Sequence, residues 1–289
     1  MRLDNEESSN IEDRRGGGGL PGGRAGVGIG TIVVALAASY FFGIDPSVVI
    51  NGAQMLNRGS QAEAQAPSAP VRESASEQTE RRFVAQVLRD TEVTWQQIFQ
   101  AEGRSYRDPK LVLFRNATPT ACGSGEAAMG PFYCPGDQKV YLDLSFFDEM
   151  ERRFHAPGDA ARAYVIAHEV GHHVQNLLGI SGKVQQARQR ASERESNALS
   201  VRLELQADCF AGVWVNKANQ QRKVLEAGDI ESVMGAASAI GDDTLQKNAR
   251  GYVTPDSFTH GSSAQRMRWF RTGFEGGDIR QCNTFERTS

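Results

Sequence analysis

Five consecutive residues, His168-Glu169-Val170-Gly171-His172, carry the most chemistry per position in this chain. On a helix, side chains four positions apart stand one above the other. His168 and His172 can therefore offer two imidazole nitrogens to one metal ion. Glu169 projects beside them, where its carboxylate can take a proton from a water on that ion. The H-E-x-x-H spacing is the pattern in which zinc and a general base are built into one helix. A single core histidine is usually satisfied by hydrogen bonds alone, but a pair at this spacing with an acid between them points to metal chemistry.

A catalytic zinc site needs a third protein ligand and an open position for water. A third histidine in the metzincin arrangement would require Gly at 175 and His at 178. Gln175 and Leu178 stand there, which excludes that class. The segment Leu203-Glu204-Leu205-Gln206-Ala207-Asp208-Cys209-Phe210 supplies another answer. Glu204 and Asp208 share a helical face, and like charges so placed repel by a few tenths of a kcal/mol unless a cation compensates. Glu204 is the expected third ligand, and Asp208 the acceptor for a ring N–H of His168 or His172, fixing its tautomer. Glu193 and Glu195, in a polar stretch, read as surface acids.

The elements that must position these groups follow from periodicity. Asp159 to Leu178 reads as a helix buried on most sides, with Asp159 at its N-cap and Gly179 in the left-handed position after its end. Gly171 is a weak helix former, worse than Ala by about 1 kcal/mol, and suits a place where a backbone or a substrate passes close by. Phe83, Val87, Thr91, Trp95 and Phe99 form a stripe that opens the folded domain with a long helix. Strand signals occupy Leu111–Phe114 and Lys139–Asp143. Helices follow, beyond the histidine helix, over 184–219, 229–247 and Ser263–Phe274.

HEVGHHVQ followed by LELQADCFAG resembles the bacterial neutral zinc metallopeptidase family of the YpfJ type. The resemblance extends to EDRRG near the N-terminus, to ACG and GPFYCPGDQKVYLD in the middle, and to FTHGSSAQRMRWF near the end. Glu204-x-x-x-Asp208 is also similar to the element of thermolysin and of membrane peptidases with a glutamate ligand. The resemblance implies an α+β, zincin-like peptidase domain, mostly helical with a small sheet. In zincins an edge strand beside the motif helix binds substrate backbone by β-addition, and Val140–Asp143 is the expected strand. Such enzymes bring a distant His or Tyr to the oxyanion. His260, in Thr259-His260-Gly261 ahead of Arg266, is similar to a T-H-P-x-x-x-R element, with Gly for Pro and a spacing one residue different. A loop histidine that caps the next helix is the plainer reading of His260. Tyr252 is a weaker candidate, and His155 and His173 read as structural.

The chain has 289 residues, 39% hydrophobic, with a formal net charge of -3, enough for one good-sized domain and giving no argument for nucleic acid. Residues 1–26 are polar and Gly-rich and are expected to be a disordered cytoplasmic tail. Residues 27–44 carry no charge and, at 1.5 Å per residue, reach about 27 Å, just enough for a transmembrane helix in a lipid bilayer. A cleaved signal peptide is the rival. Basic residues Arg2, Arg14, Arg15 and Arg24 precede the stretch and none follows before Arg58, so the N-terminus is expected in the cytoplasm and the domain outside. Residues 45–82 read as a juxtamembrane segment and linker, and 83–289 as the zinc metallopeptidase domain. Cys122 and Cys134 flank a loop that a disulfide would close for roughly 3 kcal/mol, and Cys209 and Cys282 offer a second pair. Four cysteines permit three pairings. The expectation is a single-pass, membrane-anchored zinc endopeptidase acting on peptide or protein substrates, with one Zn2+ held by His168, His172 and Glu204. A non-catalytic, membrane-tethered module braced by zinc is the competing class. Oligomeric state is not legible.

Overall fold

A computed structural model of the chain describes residues 1–16 and 73–286. Leu111 to Phe114 is apolar without alternation, as in a strand covered on both faces. β2 (Lys110–Phe114) accordingly lies inside a four-stranded sheet, flanked by β1 (Ile11–Asp13) and β6 (Lys139–Asp143). Both neighbours run parallel to it, with Leu111 opposite Ile11 on one side and Val140 on the other. β5 (Phe132–Cys134) closes the sheet antiparallel to β6, Tyr133 facing Val140. This corrects the expectation for Val140–Asp143. Val140 and Tyr141 are paired on both sides, Leu142 and Asp143 only with β2, so the outermost strand on this side of the sheet is β5. β3 (Ala117–Thr120) and β4 (Gly123–Glu126) form a separate hairpin.

α1 (Ala75–Ala101) begins ahead of its apolar stripe, inside the stretch read as linker. Ser74 accepts from the Glu77 backbone while Glu77 reaches back to Ser74, a reciprocal cap that starts the helix without apolar support. α2 (Ser145–Arg152) follows the sheet. α3 (Asp159–Leu177) is the histidine helix, and Gly158 rather than Asp159 caps it. Gly179 takes the left-handed conformation after its end, at φ 74°.

The stretch read as one long helix from 184 divides into α4 (Ile180–Arg188) and α5 (Glu193–Arg222), because Ser192 and Glu195 form a second reciprocal cap that restarts the chain. The next stretch also divides, into α6 (Asp229–Ala239) and α7 (Asp242–Arg250). α8 (Ser263–Gly276) ends the helical part. Trp95, Phe210, Tyr164, Trp214 and Phe270 are buried where α1, α3, α5 and α8 meet. Disulfides join Cys122 to Cys134 and Cys209 to Cys282, the two pairings the sequence suggested, and the second fixes the C-terminal segment to α5.

Residues 1–13, expected to be disordered, instead belong to the same compact unit as the chain from Glu73 on. Low hydrophobicity was the basis of that expectation. What orders the arm is hydrogen bonding to a buried acid, since Ser8 and Asn10 both donate to Glu92 on α1, at 2.6 and 2.8 Å. The apolar stretch 27–44 lies outside the described residues, as does the rest of the proposed linker up to Arg72. Among the described residues no helix is long and apolar enough to cross a membrane.

Candidate metal centre

α3 and α5 pack against each other so that the three expected ligands meet. One donor atom each from His168, His172 and Glu204 lies within 4.8 Å of the others. Glu204 Oε2 is 3.1 Å from His168 Nε2, and Glu204 Oε1 is 3.4 Å from His172 Nε2. Gly171 permits the approach of the helices. A Cβ there would stand 3.0 Å from the Ala207 carbonyl oxygen and 3.2 Å from Ala207 Cα. The passing backbone anticipated for this glycine is that of α5.

Both imidazoles are oriented through their other nitrogen. His168 Nδ1 donates to Asp208 Oδ1 at 2.8 Å, and His172 Nδ1 donates to Gln175 Oε1 at 2.9 Å. A carboxylate and an amide carbonyl accept only, so each Nδ1 holds its proton there and Nε2 of each ring is the nitrogen aimed at the common centre, where Glu204 meets it. Gln175 is fixed in turn, its amide donating to the Leu203 carbonyl at 2.6 Å. Asp208 is fully buried and accepts three more bonds, from Arg266 Nε and Nη2 at 2.9 Å each and from the Tyr164 hydroxyl at 2.5 Å.

The electrostatics follow from burial and from this clustering. Burial works against charge on His168, but Asp208 and Glu204 outweigh it and raise its pKa to about 10. Glu204 shows the mirror image: burial opposes its ionisation, and His172 and His168 nonetheless hold its carboxyl well below the usual range. A metal cation held by these three donors would take the place of those protons. Glu169 behaves differently, because burial dominates and pushes its carboxyl above the usual value. Its proton affinity is thereby moved towards that of an effective general base.

His260 shares a cleft of about 830 Å³ with His168, Glu169, His172 and Glu204. Asp242, at the start of α7, holds it there. One Asp242 oxygen accepts the backbone N–H groups of Thr259, His260 and Gly261 at 2.8, 2.6 and 3.0 Å, and the other lies 3.2 Å from His260 Nδ1. β5 contributes Phe132 and Tyr133 to the same cleft. Tyr252 is not brought there; it stands 61% exposed with the Arg250 guanidinium 4.7 Å from its ring centre. His173 is structural, its Nε2 donating to the Arg107 carbonyl at 2.6 Å and its Nδ1 accepting from the Tyr133 hydroxyl at 3.0 Å. His155 is exposed in its loop.

Sequence reasoning passed over Gln175, Asp242 and Tyr164. Only Gln175, three positions from His172 and so on a neighbouring face of the helix, offered a signal. Arg266 was noted for its spacing from His260, yet its guanidinium is spent on Asp208.

A family model described as "Putative neutral zinc metallopeptidase" matches residues 1–285, and the chain belongs to that family. It is 48% identical to the Escherichia coli K12 protein named "Uncharacterized protein YpfJ", over 98% of this chain and 97% of the relative. An uncharacterised protein of Mycobacterium tuberculosis strain H37Rv is 42% identical over 62% of this chain and 63% of its own length. No solved structure matches.

Proposed function

We propose that this protein hydrolyses peptide bonds within peptide or protein substrates, with one zinc ion held by His168, His172 and Glu204. The observation that carries the reading is the convergence of one donor atom each from two imidazoles and a carboxylate within 4.8 Å, with a buried acid, Glu169, next in sequence to His168 and outside that set. Two neutral imidazoles and one carboxylate fit zinc in the number and type of donors of a catalytic site that leaves a position open. A bound zinc would polarise the substrate carbonyl and lower the pKa of a water towards about 7.

The residues then divide the work. Glu169 takes the proton of the attacking water and delivers it to the leaving amine, as its raised proton affinity suits. His260, oriented by Asp242 and lining the same cleft, donates from Nε2 to the developing oxyanion. Asp208, anchored by Arg266 and Tyr164, keeps His168 in the tautomer that leaves Nε2 free. The outer edge of β5 receives substrate backbone by strand addition, the role expected earlier of Val140–Asp143. Residues 27–44 are the segment by which the chain meets a bilayer, and the two disulfides support an oxidising compartment for the domain.

The test compares wild type with Glu169→Gln on a diverse peptide pool. Wild type should cleave in a chelator-sensitive way. The variant should keep one zinc per chain and lose about 10²–10⁴-fold in rate, the usual worth of a general base. Undiminished cleavage by the variant would refute the mechanism. Tight zinc binding by a wild type that cleaves nothing would favour the braced binding module.

A further inference from the structure

The sheet order places the N-terminal arm inside the domain. β1 forms the ladder on one side of β2, and the Asn10 carbonyl accepts the Leu111 backbone N–H at 2.9 Å. Farther back along the arm, the Ser8 N–H donates to the Ala85 carbonyl at 3.0 Å and the Arg2 N–H to the Val224 carbonyl at 2.8 Å. Glu12 meets Lys139 on β6 at 2.6 Å. Glu92, 2% exposed, takes two of its hydrogen bonds from Ser8 and Asn10. Without the arm this buried carboxylate would lose those donors, a cost that a fold does not carry lightly. Met1, Leu3 and Ile11 add apolar packing on the main core.

We propose that residues 1–13 and the domain from Glu73 on occupy one compartment, so that the intervening segment leaves and rejoins the domain on the same side of any bilayer it meets. Two length scales decide this. Paired strands stand about 4.8 Å apart, whereas the hydrocarbon core of a bilayer is about 30 Å thick. A single crossing by residues 27–44 would hold β1 and β2 on opposite faces and dissolve the ladder. This proposal stands against the arrangement suggested by the basic flank, with the N-terminus inside and the domain outside. The two disulfides extend the inference, because whichever oxidising compartment they form in then holds the arm as well. The part of this proposal that concerns a bilayer rests on reading residues 27–44 as its contact segment.

All four cysteines are paired, so a new one can be labelled without background. Asp4→Cys on the arm and Glu102→Cys at the end of α1 both lie at exposed positions. Each is made in the full chain, expressed in a bacterial host, and treated with a membrane-impermeant maleimide before and after the membranes are opened. Both positions should be labelled at the same step, with no loss of labelling at either relative to the other. Labelling of one before opening and of the other only afterwards would overturn the proposal. Membrane pelleting of the wild-type chain reads the tether separately. A chain that stays in the supernatant sinks the bilayer contact, while matched labelling still places arm and domain together.

Discussion

Asp90 on α1 and Asp208 on α5 are both buried, and each is clamped by an arginine. Arg222 donates to Asp90 through Nε and Nη2 at 2.6 and 2.8 Å, and the Trp214 indole N–H adds a bond at 2.7 Å. Arg266 grips Asp208 in the same two-pronged way. The networks part company at the fourth participant. Around Asp90 it is Thr94, a closed hydroxyl held by Arg222 at 2.6 Å. Around Asp208 it is His168, whose far nitrogen faces the cleft. A buried Asp–Arg pair is thus an architectural part that becomes part of a site only when an imidazole relays its orientation to an open face.

The comparison breaks hardest at Asp90. Asp90→Ala leaves the partly buried Arg222 guanidinium unpaired and the Trp214 indole N–H without its acceptor, and should cost about 2–3 kcal/mol of folding stability, read by denaturant titration, while zinc affinity at the folded protein stays unchanged. A matching loss of zinc affinity would erase the distinction between the two networks. Asp208→Asn is the next largest test. It frees His168 to adopt the wrong tautomer and should weaken zinc binding by about 10–100-fold, measured by competition with a chelator of known affinity.

The smallest effect concerns Asp242 and His260. Asp242's hydrogen bond is the chief cause that raises the His260 pKa above 6.5, and burial opposes it. A raised folded value means stability that is present below 6.5 and is lost as pH rises through the folded pKa. Burial alone would raise Asp242, but its bonds from His260 and the loop lower its carboxyl below 3.8. Its contribution is present above 3.8 and is lost as pH falls through its lowered value. The pair therefore contributes most between these limits. Asp242→Asn should bring His260 back towards 6.5 in an NMR titration and flatten that part of the pH–stability curve. An unmoved His260 would separate the loop histidine from its supposed orienter.

That His168, His172 and Glu204 would converge was legible because helical geometry makes a four-residue spacing a statement about position in space. Both pairs, His168 with His172 and Glu204 with Asp208, exploit that regularity. Asp242 was illegible for the complementary reason: it reaches Thr259, His260 and Gly261 across a loop, and no period links the two stretches. In the fold, apolar runs announced β2 and β6, whereas β5 is three residues long and β1 is polar. Nothing in their composition marks them as strands. Their order decided which edge is free, and it lies beyond local pattern. The divided helices show a further limit, since Glu195 reads as a surface acid until its reciprocal bonds with Ser192 are seen.

The contact of Gly171 with Ala207 bears on how quickly and how selectively the centre fills. The gap between α3 and α5 is set there by main chain against side-chain-free backbone, not by the ion. Ligands carried on two such helices are spaced before any metal arrives, so binding free energy is not consumed in drawing the helices together. An ion entering such a seat would need no refolding, and a larger cation would have to push apart two backbones already in close contact.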